Sequence, residues 1–101
     1  MFTIILESVD SKRLDSIERE GNENYLPQDD QQEFKMLGDL ATCTYDVFGS
    51  SNMNNLISEL EMLKERLTDF EKIDHIDEII QLAKKCKKIP LSRLIFTPFE
   101  R

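Results

Sequence analysis

The sequence predicts a single two-layer domain of the α/β class, a small mixed β-sheet of about three strands with about three helices. Three observations lead there. The 101-residue length suits one domain, residues 1–101, built on one core. Both ends carry short apolar runs rich in β-branched residues, Ile4-Ile5-Leu6 and Leu94-Ile95-Phe96. Between them lie two segments whose apolar residues recur every three or four positions. A hydrophobic share of 40% beside 33% charged residues places the chain among globular rather than disordered sequences.

Taken in order, residues 2–9 form a first strand, with Phe2, Ile4 and Leu6 facing one side and Thr3, Ile5 and Glu7 the other. Asp10 or Ser11 caps a short helix over 12–20, with Leu14 and Ile17 inward and Gly21 as its stop. Residues 21–35 read as a polar loop around Pro27, anchored by Tyr25, Leu26 and Phe34 and ending in a helical turn over 29–34. The alternation of Ala41, Cys43, Tyr45 and Val47 predicts a second strand over 40–47, and residues 48–52 break it. Met53, Leu56, Ile57, Leu60, Leu63 and Leu67 mark the clearest helix.

Asp69 to Asp74 reads as a turn. A third helix follows over about 74–88, with Ile76, Ile79, Ile80, Ala83 and Cys86 as its inner stripe. Acids at its start and lysines at its end match the helix dipole, and Pro90 stops it. Residues 91–97 are the last strand. A helix between the first two strands makes them parallel by a right-handed crossover, and a helix pair makes the third antiparallel to the second. The outer face of such a sheet shows Thr, Glu and Arg among a few apolar residues and is partly open.

The charge is unevenly placed. Residues 1–50 carry 11 acids against 4 bases and residues 51–101 carry 9 of each, so the net charge of −7 falls wholly before Ser51. A field of that sign repels nucleic acid and anionic lipid and attracts basic protein surfaces. The apolar runs are too short to span a bilayer and no basic leader opens the chain, so a cytoplasmic protein without a membrane partner is expected.

Catalytic and metal-binding patterns are missing. Cys43 and Cys86 read as buried reduced thiols, and the single histidine, His75, is not spaced from either as a zinc site requires. His75 reads as a surface histidine, since no nucleophile can be tied to it. Asp29, Asp30 and Glu33 lack the alternation and central glycine of a calcium loop, and the three glycines form no phosphate loop. No cofactor is expected. Lys84, Lys85, Lys87 and Lys88 read as helix-terminal cations rather than a nucleic-acid contact. The acids share their stretch with Tyr25, Leu26, Phe34 and Met36, which suits a protein interface of aromatic anchors and charged rim. The expected contact residues are Tyr25, Asp29, Asp30, Glu33, Asp39 and Asp46.

Leu37-Gly38-Asp39-Leu40, then Thr44-Tyr45-Asp46-Val47-Phe48, run into the helix Asn55-Leu56-Ile57-Ser58-Glu59-Leu60-Glu61, and Leu94-Ile95-Phe96 closes the chain. In these residues, about half the chain, and in their order, size and charge, the sequence resembles the small bacterial immunity proteins that neutralise toxins of interbacterial competition systems. The resemblance implies a non-enzymatic, stoichiometric, cytoplasmic inhibitor that occludes or distorts the active site of one cognate toxin. If that toxin is a nuclease, its basic cleft is the natural target for an acidic surface. The alternative is a structural or regulatory interaction subunit, homodimeric, that binds through the open sheet face or the helix pair.

Overall fold

The structure, a computed structural model, describes residues 1–27, 33–40 and 44–98. Strands β1 (Thr3–Glu7), β2 (Arg13–Glu18), β3 (Asp46–Gly49) and β4 (Arg93–Thr97) form one sheet, and helices α1 (Met53–Arg66) and α2 (Phe70–Lys88) form the second layer of a small α/β domain. Single 3-10 turns stand at Asn22–Asn24, Leu37–Asp39 and Ser50–Asn52. The strand order is β2-β1-β4-β3 and every neighbouring pair is antiparallel.

The first correction lies at residues 12–20, a strand rather than a helix. The Ser8 amide donates to the Lys12 carbonyl at 2.8 Å, the Ser8 hydroxyl accepts from the Lys12 amide at 3.1 Å, and Ser11 turns the chain at φ 65°. Leu14 and Ile17 sit three apart, as on a helix stripe, but pairing with the adjacent β1 wins. Ile17 and Asp15 stand opposite Ile4 and Leu6, while Leu14 stays exposed at the sheet edge. The mixed sheet falls with that helix. β1 and β3 do run in the same direction, but β4 lies between them, antiparallel to both.

Two boundaries also move. α2 begins at Phe70, because Asp69 caps it: its carboxylate accepts from the Glu71 amide at 2.9 Å. The interhelix turn is therefore only Leu67 to Asp69. Phe48 belongs to β3 rather than to a break; it is buried edge-on to Phe96, ring centroids 5.7 Å apart. With Phe48 inward, Tyr45 and Val47 turn outward and are 55% and 45% exposed. Leu40 and Thr44 of the expected second strand belong to no strand, Leu40 ending the 3-10 turn before it, while residues 41–43 and most of the expected turn over 29–34 lie outside the described residues.

The core fills the gap between the layers. Phe2, Ile4, Leu6, Leu94 and Phe96 come from the sheet, Leu56, Leu60 and Leu63 from α1, and Ile76, Ile79, Ile80, Ala83 and Cys86 from α2. Each large side chain so buried contributes roughly 1.5–3 kcal/mol. Leu26, Phe34, Leu37 and Leu40 close the core from the loop side. The Glu59 carboxylate on α1 holds that loop by accepting from the Met36 and Leu37 amides, both at 3.0 Å. On the opposite sheet face Ile5 and Ile95 are buried among Thr3, Thr97 and the Arg93–Glu7 ion pair.

Candidate interaction surface

The titratable groups that suggest chemistry are sealed. His75 is fully buried, not on the surface, because its neighbours replace water. Asn22 accepts from the Phe2 amide at 2.7 Å and donates to the Phe2 carbonyl at 2.8 Å, which fixes its amide orientation. Its nitrogen then faces His75 Nε2 at 3.1 Å, so Nε2 accepts and the proton sits on Nδ1. Burial holds this imidazole below its usual pKa, although Glu78, 3.5 Å from Nδ1, pulls the other way. With no access to water or substrate, it is a structural histidine.

Cys86 is free and buried against Ser92, and burial pushes its thiol up, toward an unreactive state. Cys43 lies outside the described residues. Among the described residues no group of three or more His, Cys, Asp or Glu could hold a metal ion. No helix there is long and apolar enough to cross a membrane.

Folding rearranges the charge. Among the described residues acids of the first half meet bases of the second, as Glu7 does with Arg93, Asp15 with Lys85 at 3.1 Å and Glu33 with Arg66 at 3.0 Å. The Arg66 hydrogen bond and charge hold the Glu33 carboxyl below the usual range. The asymmetry that survives runs along the helices. Residues 61–78 carry seven acids and three bases, whereas residues 79–98 carry five bases and no acid. The evenly balanced second half is thus an average over two opposed ends of α2, about 27 Å apart at 1.5 Å per residue.

At the acidic end, Tyr25 is half-buried with its ring edge-on to His75 and the Lys72 ammonium 5.5 Å from its centre. Burial raises its phenol pKa. Arg19, Glu20, Tyr25, Asp69, Glu71 and Lys72 surround a concavity of about 240 Å³. Phe70, between Asp69 and Glu71 in the chain, is 83% exposed and is not part of that lining. Sequence reading missed this residue: it falls off the α2 stripe, directly after an aspartate that can cap a helix.

The expected contact residues are not gathered in one place. Tyr25 and Glu33 reach the hairpin end, through Lys72 on the first turn of α2 and Arg66 on the last of α1. Asp39 is exposed on the 3-10 turn held by Glu59, and Asp46 is half-buried on β3. Asp29 and Asp30 lie outside the described residues. A second surface runs along β3, where Glu7, Tyr45, Val47, Arg93 and Ile95 line a concavity of about 270 Å³. Comparison of the chain with protein-family models, with curated proteins and with solved structures gave no match.

Proposed function

We propose that the protein is a non-enzymatic binder of a basic protein and that the acidic end of the helical hairpin is its contact surface. The observation that carries this reading is Phe70, 83% exposed between Asp69 and Glu71 at the end of the fold where residues 61–78 carry seven acids against three bases. A desolvated aromatic anchor supplies affinity and surrounding charge supplies orientation and on-rate. The resemblance to immunity proteins makes the partner a cognate toxin, bound in the cytoplasm. Tyr25 and Glu33 stay in the proposed contact set, and Glu20, Phe70 and Glu71 join them.

The test is affinity capture of the tagged protein from its bacterial host at low and high salt, read by mass spectrometry, with Phe70→Ala and Glu20→Lys/Glu71→Lys beside the wild type. One basic protein should be held stoichiometrically, weakened by salt and lost with either variant. Retention indifferent to salt and to both variants would overturn the reading. Protection of cells that express the captured protein then separates a toxin from another partner.

A homodimeric subunit is the second reading, favoured by the exposed Val47 on edge strand β3 and the exposed Tyr45 just before it. Self-association independent of salt and abolished by Val47→Lys would support it over the first.

A further inference from the structure

The other end of the hairpin carries the opposite charge. Because α1 and α2 are antiparallel, Asn54, Ile57 and Ser58 of α1 lie across from Lys84, Lys87 and Lys88 of α2. These six residues line a groove of about 670 Å³, against 240 and 270 Å³ for the two concavities above. That volume is in the range of ligand-binding clefts, roughly 300–1,000 Å³.

A helix C-terminus favours cations, but its field equals only about half a charge. Four lysines exceed that need. Lys85 is committed to Asp15 across the fold at 3.1 Å. Lys84, Lys87 and Lys88 make no ion pair among the described residues and are exposed. Lys84 also stands at three- and four-residue spacing from the other two, so the like charges repel one another. An anion seated between them relieves that repulsion. The groove wall is not purely charged: Ile57 is half-buried at its side, and lysine stems offer methylene surface beneath their ammonium heads.

From these residues we propose that the groove docks an acidic segment of a partner protein, its carboxylates on the three ammonium groups and an aliphatic side chain against Ile57. Charge complementarity selects this occupant. A nucleic acid would want aromatic or arginine surface, which the groove lacks, and a long polyanion would meet the protein's net charge of −7. The site is separate from the acidic end, so a single chain can hold a basic and an acidic partner surface at once.

The experiment uses the full chain and a fluorescein-labelled synthetic peptide of glutamates interspersed with leucines. Beside it run an all-glutamate peptide and a short DNA duplex. Fluorescence anisotropy should show salt-sensitive binding of the mixed peptide. Affinity should fall at least about tenfold in Lys84→Glu/Lys87→Glu/Lys88→Glu and in the milder triple Lys→Gln variant, which guards against misfolding by the first. Lys85→Ala and Phe70→Ala should leave binding unchanged, and Ile57→Asp should weaken the mixed peptide more than the all-glutamate one. Absence of binding, binding indifferent to the triple variants, or preference for the DNA duplex would each overturn the proposal.

Discussion

Asn22 Nδ2 stands 3.1 Å from His75 Nε2, and neither side chain reaches solvent. The contact exists only while the imidazole is neutral, since a protonated Nε2 would set donor against donor. The folded-state pKa of His75 is lowered, chiefly by burial, below the value of about 6.5 it takes in an unfolded chain. Between those two values the unfolded chain binds more protons, so stability rises with pH. The contribution is complete above about pH 6.5 and is lost progressively as the pH falls below it. Urea midpoints measured from pH 7.5 down to pH 5 should decline once the pH falls below about 6.5. His75→Gln, which can still accept from Asn22, should flatten that decline; an unchanged slope would sink the assignment.

Removal of the asparagine exposes the other half of the same network. Asn22→Ala strips partners from the Phe2 amide, the Phe2 carbonyl and His75 Nε2 together. At roughly 1–3 kcal/mol for each orphaned buried group, a loss of about 3 kcal/mol or more is expected in equilibrium unfolding. Asn22→Asp keeps the acceptor for the Phe2 amide but places a carboxylate beside the ring, so the His75 pKa followed by NMR should rise.

Glu59 is the tie between α1 and the loop. Glu59→Ala should cost about 1.5–3 kcal/mol, the range for a hydrogen bond to a charged group, while Glu59→Gln keeps one acceptor and should cost less. Hydrogen exchange should quicken first at the Met36 and Leu37 amides. Unaltered protection there would mean that the buried side chains of Phe34, Leu37 and Leu40 hold the segment alone.

The phase of β3 is tested by two neighbours. Phe48→Ala should destabilise by about 3–5 kcal/mol, the usual range for deleting a buried aromatic ring, and Val47→Ala by no more than about 0.5 kcal/mol. The reverse ranking would mean a register shifted by one residue.

Phe70→Ala should leave the melting temperature within the scatter of a surface substitution, about 0.5 kcal/mol either way, because the ring is 83% exposed. Calorimetry shows whether the side chain supports the fold; only a neutral result lets its binding defect be read as an interface effect.

Legibility of the sequence followed the range of the forces involved. The α1 and α2 stripes could be read because a helix core face is written every three or four residues, and Leu56, Leu60, Ile76, Ile79 and Ala83 are all buried. β1 and β4 were equally clear from Ile4-Ile5-Leu6 and Leu94-Ile95-Phe96. β2 was not, since only Leu14 and Ile17 are apolar there and its identity comes from a hydrogen-bonded partner strand. His75 looked superficial among acids because its cover, Asn22 and Tyr25, lies some fifty positions away. The free lysines of the groove and the exposed Phe70 were visible as residues, but their isolation depends on which charges the fold brings together.

The two middle strands of the sheet are β1 and β4, the earliest and the latest to leave the ribosome. During synthesis the β1–β2 hairpin and the α1–α2 hairpin can each form from neighbours in sequence, but β1 and β3 stay unjoined until residues 93–97 emerge and slide between them. Until that moment Phe48 has no strand to lie beside, and Ile4 and Leu6 have one on a single side only. A nascent chain released through α2 but short of β4 would therefore carry two finished hairpins and an open seam between them.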